Sequence, residues 1–185
     1  MDVANLRADC ARCAALCCVA LAFDRSPLFG LDKAAGEPCP NLESCGRCRI
    51  HASRERLGFS GCVRYDCLGA GQRVTAEVFG GRSWMQDRAL LPRMLRAFET
   101  MRLVHELIQL LGEAGKLDLP MRERNVLATL ERALQPPGGW TEELLASPAV
   151  RATARRVRGF LRSLEAHVGG RRPRPDDCAA RSGGR

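Results

Sequence analysis

The chain lacks any apolar run approaching the roughly 18 residues that would span a bilayer, which excludes a membrane-crossing helix. Large hydrophobic side chains are also sparse at its front. Val, Ile, Leu, Met, Phe, Tyr and Trp fill 17 of the first 70 positions, against 30 of the 85 between 84 and 168. Ordering a stretch of that length costs on the order of 100 kcal/mol of conformational entropy, which so thin a core does not offset unaided. Lysine is nearly missing: Lys33 and Lys116 stand beside 27 Arg, a skew that a GC-rich genome produces without selection for binding. Signatures of catalysis are missing too. Gly69-Ala70-Gly71 lacks the third glycine and the preceding strand of a phosphate loop, so it reads as a turn. Glu142-Glu143 look like helix-start residues, and no nucleophile–base pair stands out. Whether the protein is an enzyme stays open, with the reading leaning towards no.

What the chain has in quantity is cysteine. Nine of its ten fall within the first 67 residues. Cys10, Cys13, Cys17 and Cys18 form a C-x2-C-x3-C-C cluster; Cys39, Cys45 and Cys48 follow, then His51, then Cys62 and Cys67. Thiols this dense are a disulfide framework or a metal site, and the compartment decides between them. Ala14 to Phe23 is apolar and Ala20-Leu21-Ala22 resembles a cleavage site, but Asp2 and Asp9 spoil the basic segment of a secretory leader. Leu16 before Cys17 does not suit a lipoprotein acylation site either. The expectation is a cytoplasmic protein with reduced thiols, and therefore a metal site. A structural zinc supplies roughly 10–16 kcal/mol of apparent binding free energy, a staple of the size this half needs.

Spacing limits what one ion can hold. On an unbroken helix Cys10 and Cys17 are separated by about 10 Å of rise, whereas two thiolates on one zinc sit ~4 Å apart. Either the helix opens into a knuckle or the four cysteines divide between two centres. The long-range partners would be Cys39, Cys48, Cys62 and Cys67. Cys10-Ala11-Arg12-Cys13 and Cys45-Gly46-Arg47-Cys48 are both C-x-R-C, and Gly46 suits a tight knuckle turn. Four thiolates around a divalent ion leave a charge of about −2. Arg12, Arg47, Arg49 and Arg64 are candidates to offset it, or are ordinary surface charge. His51 and Cys45 are candidates for a ligand or for a neighbour of one. His105 and His167 receive no role, and Cys178 reads as an incidental free thiol.

The rest of the pattern predicts a mainly α protein. Residues 4–22 read as a helix capped by Asp2, and 24–83 as irregular, with a short strand over 72–79 that puts Val74, Ala76 and Val78 on one face. From Trp84 the chain turns helical: Leu91, Met94, Leu95, Phe98, Met101, Val104, Ile108 and Leu111 recur at 3–4 spacing, Pro92 marks a first turn or a kink, and Gly112 and Gly115 end the run. A second helix runs from Pro120 to Gln135, a short one from Thr141 to Ala146, and a last one from Ser147-Pro148 to Gly169. Its seam is Val150, Ala154, Val157, Leu161, Leu164 and Val168, with Arg151, Arg155, Arg158 and Arg162 on the adjoining face. Three parts result: a Cys-rich metal-binding module (1–83), a helical unit (84–168) and a disordered basic tail (169–185). The formal charge of +8 concentrates at this end, where residues 148–185 carry ten Arg against three acidic residues. Weak nucleic-acid contact through the four named arginines is thus one reading, and a solvated charged face is the other.

With these residues in view, the first 83 positions resemble the bacterial CxxCxxCC family of zinc- or iron-chelating proteins. The motifs are the Cys10–Cys18 cluster, Cys39-Pro40-Asn41-Leu42, Cys48-Arg49-Ile50-His51 and the closing pair Cys62 and Cys67. They are most similar to the Cys-rich N-terminal module of bacterial pentapeptide-repeat proteins, which have a similar Asp-Lys-Ala-Ala-Gly and a similar Tyr-Asp-Cys then Gly-Ala-Gly-Gln. The repeats themselves are missing: Ala4-Asn5-Leu6-Arg7-Ala8 is one copy. The second cluster gap is three residues rather than two, and Cys45 has no counterpart in the pattern. The resemblance implies metal binding by Cys10, Cys13, Cys17, Cys18, Cys39, Cys48, Cys62 and Cys67, as zinc or an iron–sulfur cluster in one or two centres. It implies no established reaction. The expected function is a structural or sensory chelating module acting through a protein partner. The alternatives are an iron–sulfur-dependent modification or redox enzyme, and a basic nucleic-acid-binding protein using residues 148–185.

Overall fold

The computed structural model of the chain describes residues 6–165. Seven α-helices carry the fold, and no strand forms among the described residues; the β contacts are isolated bridges such as Phe23 with Lys33 and Leu42 with Cys48. The mainly α expectation holds.

At the front, Cys10–Arg12 is a single 3-10 turn, and α1 spans Leu16–Ala20. The one helix expected over 4–22 is therefore broken; residues 4 and 5 and the Asp2 cap lie outside the described part. The break has a physical cause. Ala14 donates its N–H to Thr75 Oγ1 at 3.0 Å, and its carbonyl accepts the Trp84 indole N–H at 2.7 Å. Both groups are satisfied by side chains more than sixty residues away, which removes the need for helical partners. Ala15 follows at φ 55°, a left-handed conformation that costs a non-glycine residue roughly 1–2 kcal/mol.

Residues 21–59 run through turns, with one 3-10 turn at His51–Ser53. Phe23 and Phe29 stack there with ring centroids 4.3 Å apart. Phe29 also covers Gly61, where a Cβ would stand 2.3 Å from the ring. Next come α2 (Ser60–Arg64) and α3 (Ala70–Arg73), the latter running into a π turn at Val74–Val78. That turn replaces the strand expected over 72–79. Alternation along so short a run fits a helical segment as well. Here Val74 and Thr75 are both buried while Ala76 is exposed, so no alternating face exists. Gly69 does turn, at φ 77°, but Ala70 and Gly71 already belong to α3.

The long helix α4 (Leu91–Ala114) is the centre of the molecule. Met94, Phe98, Met101, Val104, Ile108 and Leu111 are buried on it as their spacing predicts, and Pro92 sits in its first turn, where no N–H partner is lost. Gly112 lies inside this helix; Gly115 ends it, donating its N–H to the Leu111 carbonyl at 2.8 Å. α5 (Met121–Ala133) follows Pro120. α6 (Glu142–Ala146) is capped by Thr141, whose Oγ1 accepts the Leu144 N–H at 3.2 Å. α7 (Pro148–Ser163) begins at Ser147-Pro148, but the Ser147 hydroxyl is buried without a partner and does not cap. On α7 the expected seam is widened by Phe160, which is buried beside Val150, Ala154, Val157 and Leu164, while Leu161 sits at the seam's edge. Val168, the helix end at Gly169, the 169–185 tail, His167 and Cys178 lie outside the described residues.

A continuous core joins the front of the chain to the helices. Leu16, Val19, Val74, Phe79 and Trp84 pack with α4, and Leu145, Val150 and Val157 belong to the same cluster. The Cys-rich module is thereby packed on the helical unit.

Candidate metal centre

All nine described cysteines are free thiols. Cys10 and Cys45 are exposed; Cys13, Cys17, Cys18, Cys39, Cys48, Cys62 and Cys67 are half-buried. The opened helix brings the first cluster back towards the loop that follows α2. Gln72 secures this fold-back: its side-chain oxygen accepts the Asp9 N–H and its amide donates to the Arg7 carbonyl at 2.9 Å. Cys67 precedes α3, and a Cβ at Gly71 would lie 2.5 Å from Cys13 Sγ. Only glycine leaves the thiol room at that point.

Burial pushes the Cys13 thiol up to about 11; the Cys67 and Cys10 thiols add to the rise, and the Leu16 and Ala15 N–H groups oppose it. The Cys10 thiol is raised by burial and then by Cys67 and Cys18. These three cysteines and Cys17 thus lie near one another, and Cys18 and Arg54 also act on Cys10. Cys13, Cys17 and Cys67 also pack against the hydrophobic core.

On the other side of α1 the contacts change. Cys39 donates its N–H to the Cys18 carbonyl at 3.0 Å, and its own carbonyl closes a turn by accepting the Leu42 N–H at 2.8 Å. Leu42 bridges to Cys48, and the Cys48 carbonyl accepts the His51 N–H at 3.1 Å. Arg54 ties this loop to α2, donating Nε to the His51 carbonyl at 2.9 Å and Nη1 to the Cys62 carbonyl at 3.2 Å. Cys62 is pushed up to about 11 by burial, then by the Cys18 and Cys39 thiols. Burial likewise raises Cys48, with Cys18 and Cys39 adding to it. A hydrogen bond between the Cys17 and Cys18 side chains raises the Cys17 thiol and lowers that of Cys18, so that Cys18 ionises first.

Lys33 interacts with Cys39 and Cys18. It is 7% exposed, and its ammonium donates to the carbonyls of Val19 (3.0 Å), Ala34 (2.9 Å) and Glu37 (2.8 Å). Three donors meet three acceptors, so the hydrogen bonds are satisfied. The charge is not: among the described residues Lys33 makes no ion pair with a carboxylate. Burial lowers its pKa, and the groups acting against that are first Cys39 and Cys18, then Glu37 and Cys17. Thiolates are its natural counter-charge.

Among the described residues no three His, Cys, Asp or Glu side chains converge at metal-holding distance. The donor chemistry still fits a thiolate-bound ion: eight free thiols, a glycine cradle at Cys13, and a buried cation without a carboxylate. His51 is exposed, and Cys45 Sγ is turned to Glu43 Oε2 at 3.6 Å. Sequence reasoning looked to Arg12, Arg47, Arg49 and Arg64 for positive charge. Lys33 and Arg54 are the cations that act on these thiols. The scarcity of lysine was the available signal for Lys33; nothing in the spacing singled out Arg54.

His105 was also missed. It is fully buried on α4, with Nδ1 2.5 Å from the Leu68 carbonyl and Nε2 3.4 Å from Arg73 Nη1. Burial lowers its pKa, and Arg73 lowers it further. A neutral ring therefore donates from Nδ1 and accepts at Nε2. Arg73 pairs with Glu77 at 2.7 Å, and Glu77 accepts the Trp140 N–H. This chain links the residue after Cys67, itself strained at φ 52°, to the loop before α6.

Over 115 residues, 62% of its length, the chain is 40% identical to the uncharacterized protein YybG of Bacillus subtilis (strain 168). The match covers 41% of that protein, so the chain spans about two-fifths of its relative's length. No family model and no solved structure matches the chain.

Proposed function

We propose that the Cys-rich front of the chain is a metal-chelating module, holding zinc or an iron–sulfur centre and serving a structural or sensory role towards a protein partner. One observation carries this reading. Eight half-buried or exposed thiols lie between residues 10 and 67, and from Ala20 to Gly58 the sole buried residue is a cation, Lys33. Without thiolate–metal bonds that stretch has little to hold its shape. The CxxCxxCC resemblance points the same way, and reduced thiols suit the cytoplasm. No helix among the described residues is long and apolar enough to cross a membrane. Elemental analysis and an absorption spectrum of anaerobically purified protein test the proposal. Brown protein with labile sulfide indicates a cluster, and colourless protein with zinc a structural site. Cys13→Ser or Cys67→Ser should lower metal content while Cys178→Ser leaves it unchanged. Metal-free protein that keeps its fold would reject the reading.

A second reading rests on α7, where Arg151, Arg155, Arg158 and Arg162 are all exposed. Nucleic-acid binding through them would fall log-linearly with salt, by a slope of roughly −0.9 per phosphate contact on duplex DNA.

A further inference from the structure

We infer that the cleft between the end of α5, α6 and the start of α7 binds a short-chain aliphatic carboxylate. The site is independent of the chelating reading. A buried polar group without a partner is costly, and each one asks what completes it. Trp140 Nε1 and Ser147 Oγ are two such groups, and both residues line the same cavity of about 90 Å³. Trp140 is 5% exposed, and its indole N–H can only donate. Ser147 precedes the 16-residue helix α7 without capping it. Pro148 brings no N–H. The Val150 N–H turns back to the Ser147 carbonyl at 3.3 Å, and the Ala149 N–H meets no protein acceptor among the described residues. Ala149 also lines the cavity, and Thr153 adds a second hydroxyl one turn on.

Two N–H donors and two hydroxyls therefore meet at the positive end of a helix, where an anion is favoured. A carboxylate supplies acceptors for all of them. No charged side chain lines the cavity, so nothing in its wall repels an anion. The helix itself carries five Arg and no acidic residue. The rest of the wall is apolar, with Leu134, Pro136, Leu144 and Val150, which suits an aliphatic chain better than an inorganic anion. An apolar cavity of about 150 Å³ holds benzene, so roughly four heavy atoms fit inside this one and the rest of a short chain fills its mouth.

The test uses the full chain, labelled with nitrogen-15 and titrated with butyrate at constant pH and ionic strength. The protein has two tryptophans, and Trp140→Phe identifies which indole resonance is which. Butyrate should move the Trp140 N–H resonance downfield and saturably at millimolar concentration. The Trp84 resonance should stay, since that N–H already donates to the Ala14 carbonyl at 2.7 Å. Butyramide, of the same shape without the charge, should bind about tenfold more weakly. Ser147→Ala should weaken butyrate binding about tenfold. It should leave the ligand-free thermal midpoint unchanged or raised, because the hydroxyl has no protein partner to lose. A Trp140 resonance that butyrate does not move overturns the proposal, and so does equal binding of butyramide. A Ser147→Ala protein that loses stability but binds butyrate as before shows a cavity completed by ordered water, which overturns it as well.

Discussion

The Cys-rich stretch and the helix α4 reach order by opposite means. In α4, ten of twenty-four residues are buried, nine of them apolar. Between Ala20 and Gly58 the one buried residue is Lys33. Burial of apolar surface stabilises the helix at about 25 cal/mol per Å². The other stretch has almost no such surface to bury, and its interior is a set of polar turns around thiols and a cation. On the proposed reading, a small protein combines a segment that its own side chains hold with one that a bound metal would hold. Thr75, Trp84 and Gln72 fix the segment before that stretch, and His105 fixes Leu68 after it.

The sharpest way to separate the two regions is a core truncation. Phe98→Ala should cost about 3–5 kcal/mol of global stability, read by denaturant unfolding, with metal stoichiometry unchanged in the protein that remains folded. A loss of metal stoichiometry in that folded fraction would mean the two regions are not held independently. Next in size is Lys33→Met, which removes the buried charge but keeps the stem. Its expected effect is about a 10–100-fold loss of metal affinity, measured by chelator competition. Unchanged affinity would contradict the role given to that charge.

A smaller effect should follow from pH. His105 has a folded pKa below its ordinary value of 6.5, so its neutral form stabilises the fold. That stability is present above about pH 6.5 and is lost as pH falls through the lower folded value. Protonation would set the ring against Arg73, with Glu77 the nearest compensating charge. His105→Gln should flatten the part of the stability–pH curve that lies below 6.5. The smallest effect is expected on α7: Arg155→Ala should leave stability unchanged and remove only low-salt nucleic-acid binding, if any is seen.

How much of this was legible depended on the distance over which each element is decided. α4 was readable because its partners recur every three or four residues along the chain, and Pro92 and Thr141 mark their helix starts through local sterics and capping. The helix expected over 4–22 failed because Thr75 and Trp84 capture Ala14 across more than sixty residues. The strand over 72–79 failed because a short apolar run has no decisive period. Candidate ligands could be named from cysteine density. Which of them lie near one another could not, since that depends on where each distant cysteine returns to α1. Phe160 was missed because the seam was drawn too narrowly around Leu161.

The most direct measurement is amide hydrogen exchange on the full chain with metal bound and after complete removal by a chelator. The account predicts that protection within residues 20–58 collapses on removal while α4 and α7 keep theirs, because binding free energy is folding free energy for the first region only. Unchanged protection through residues 20–58 in fully metal-free protein would contradict it.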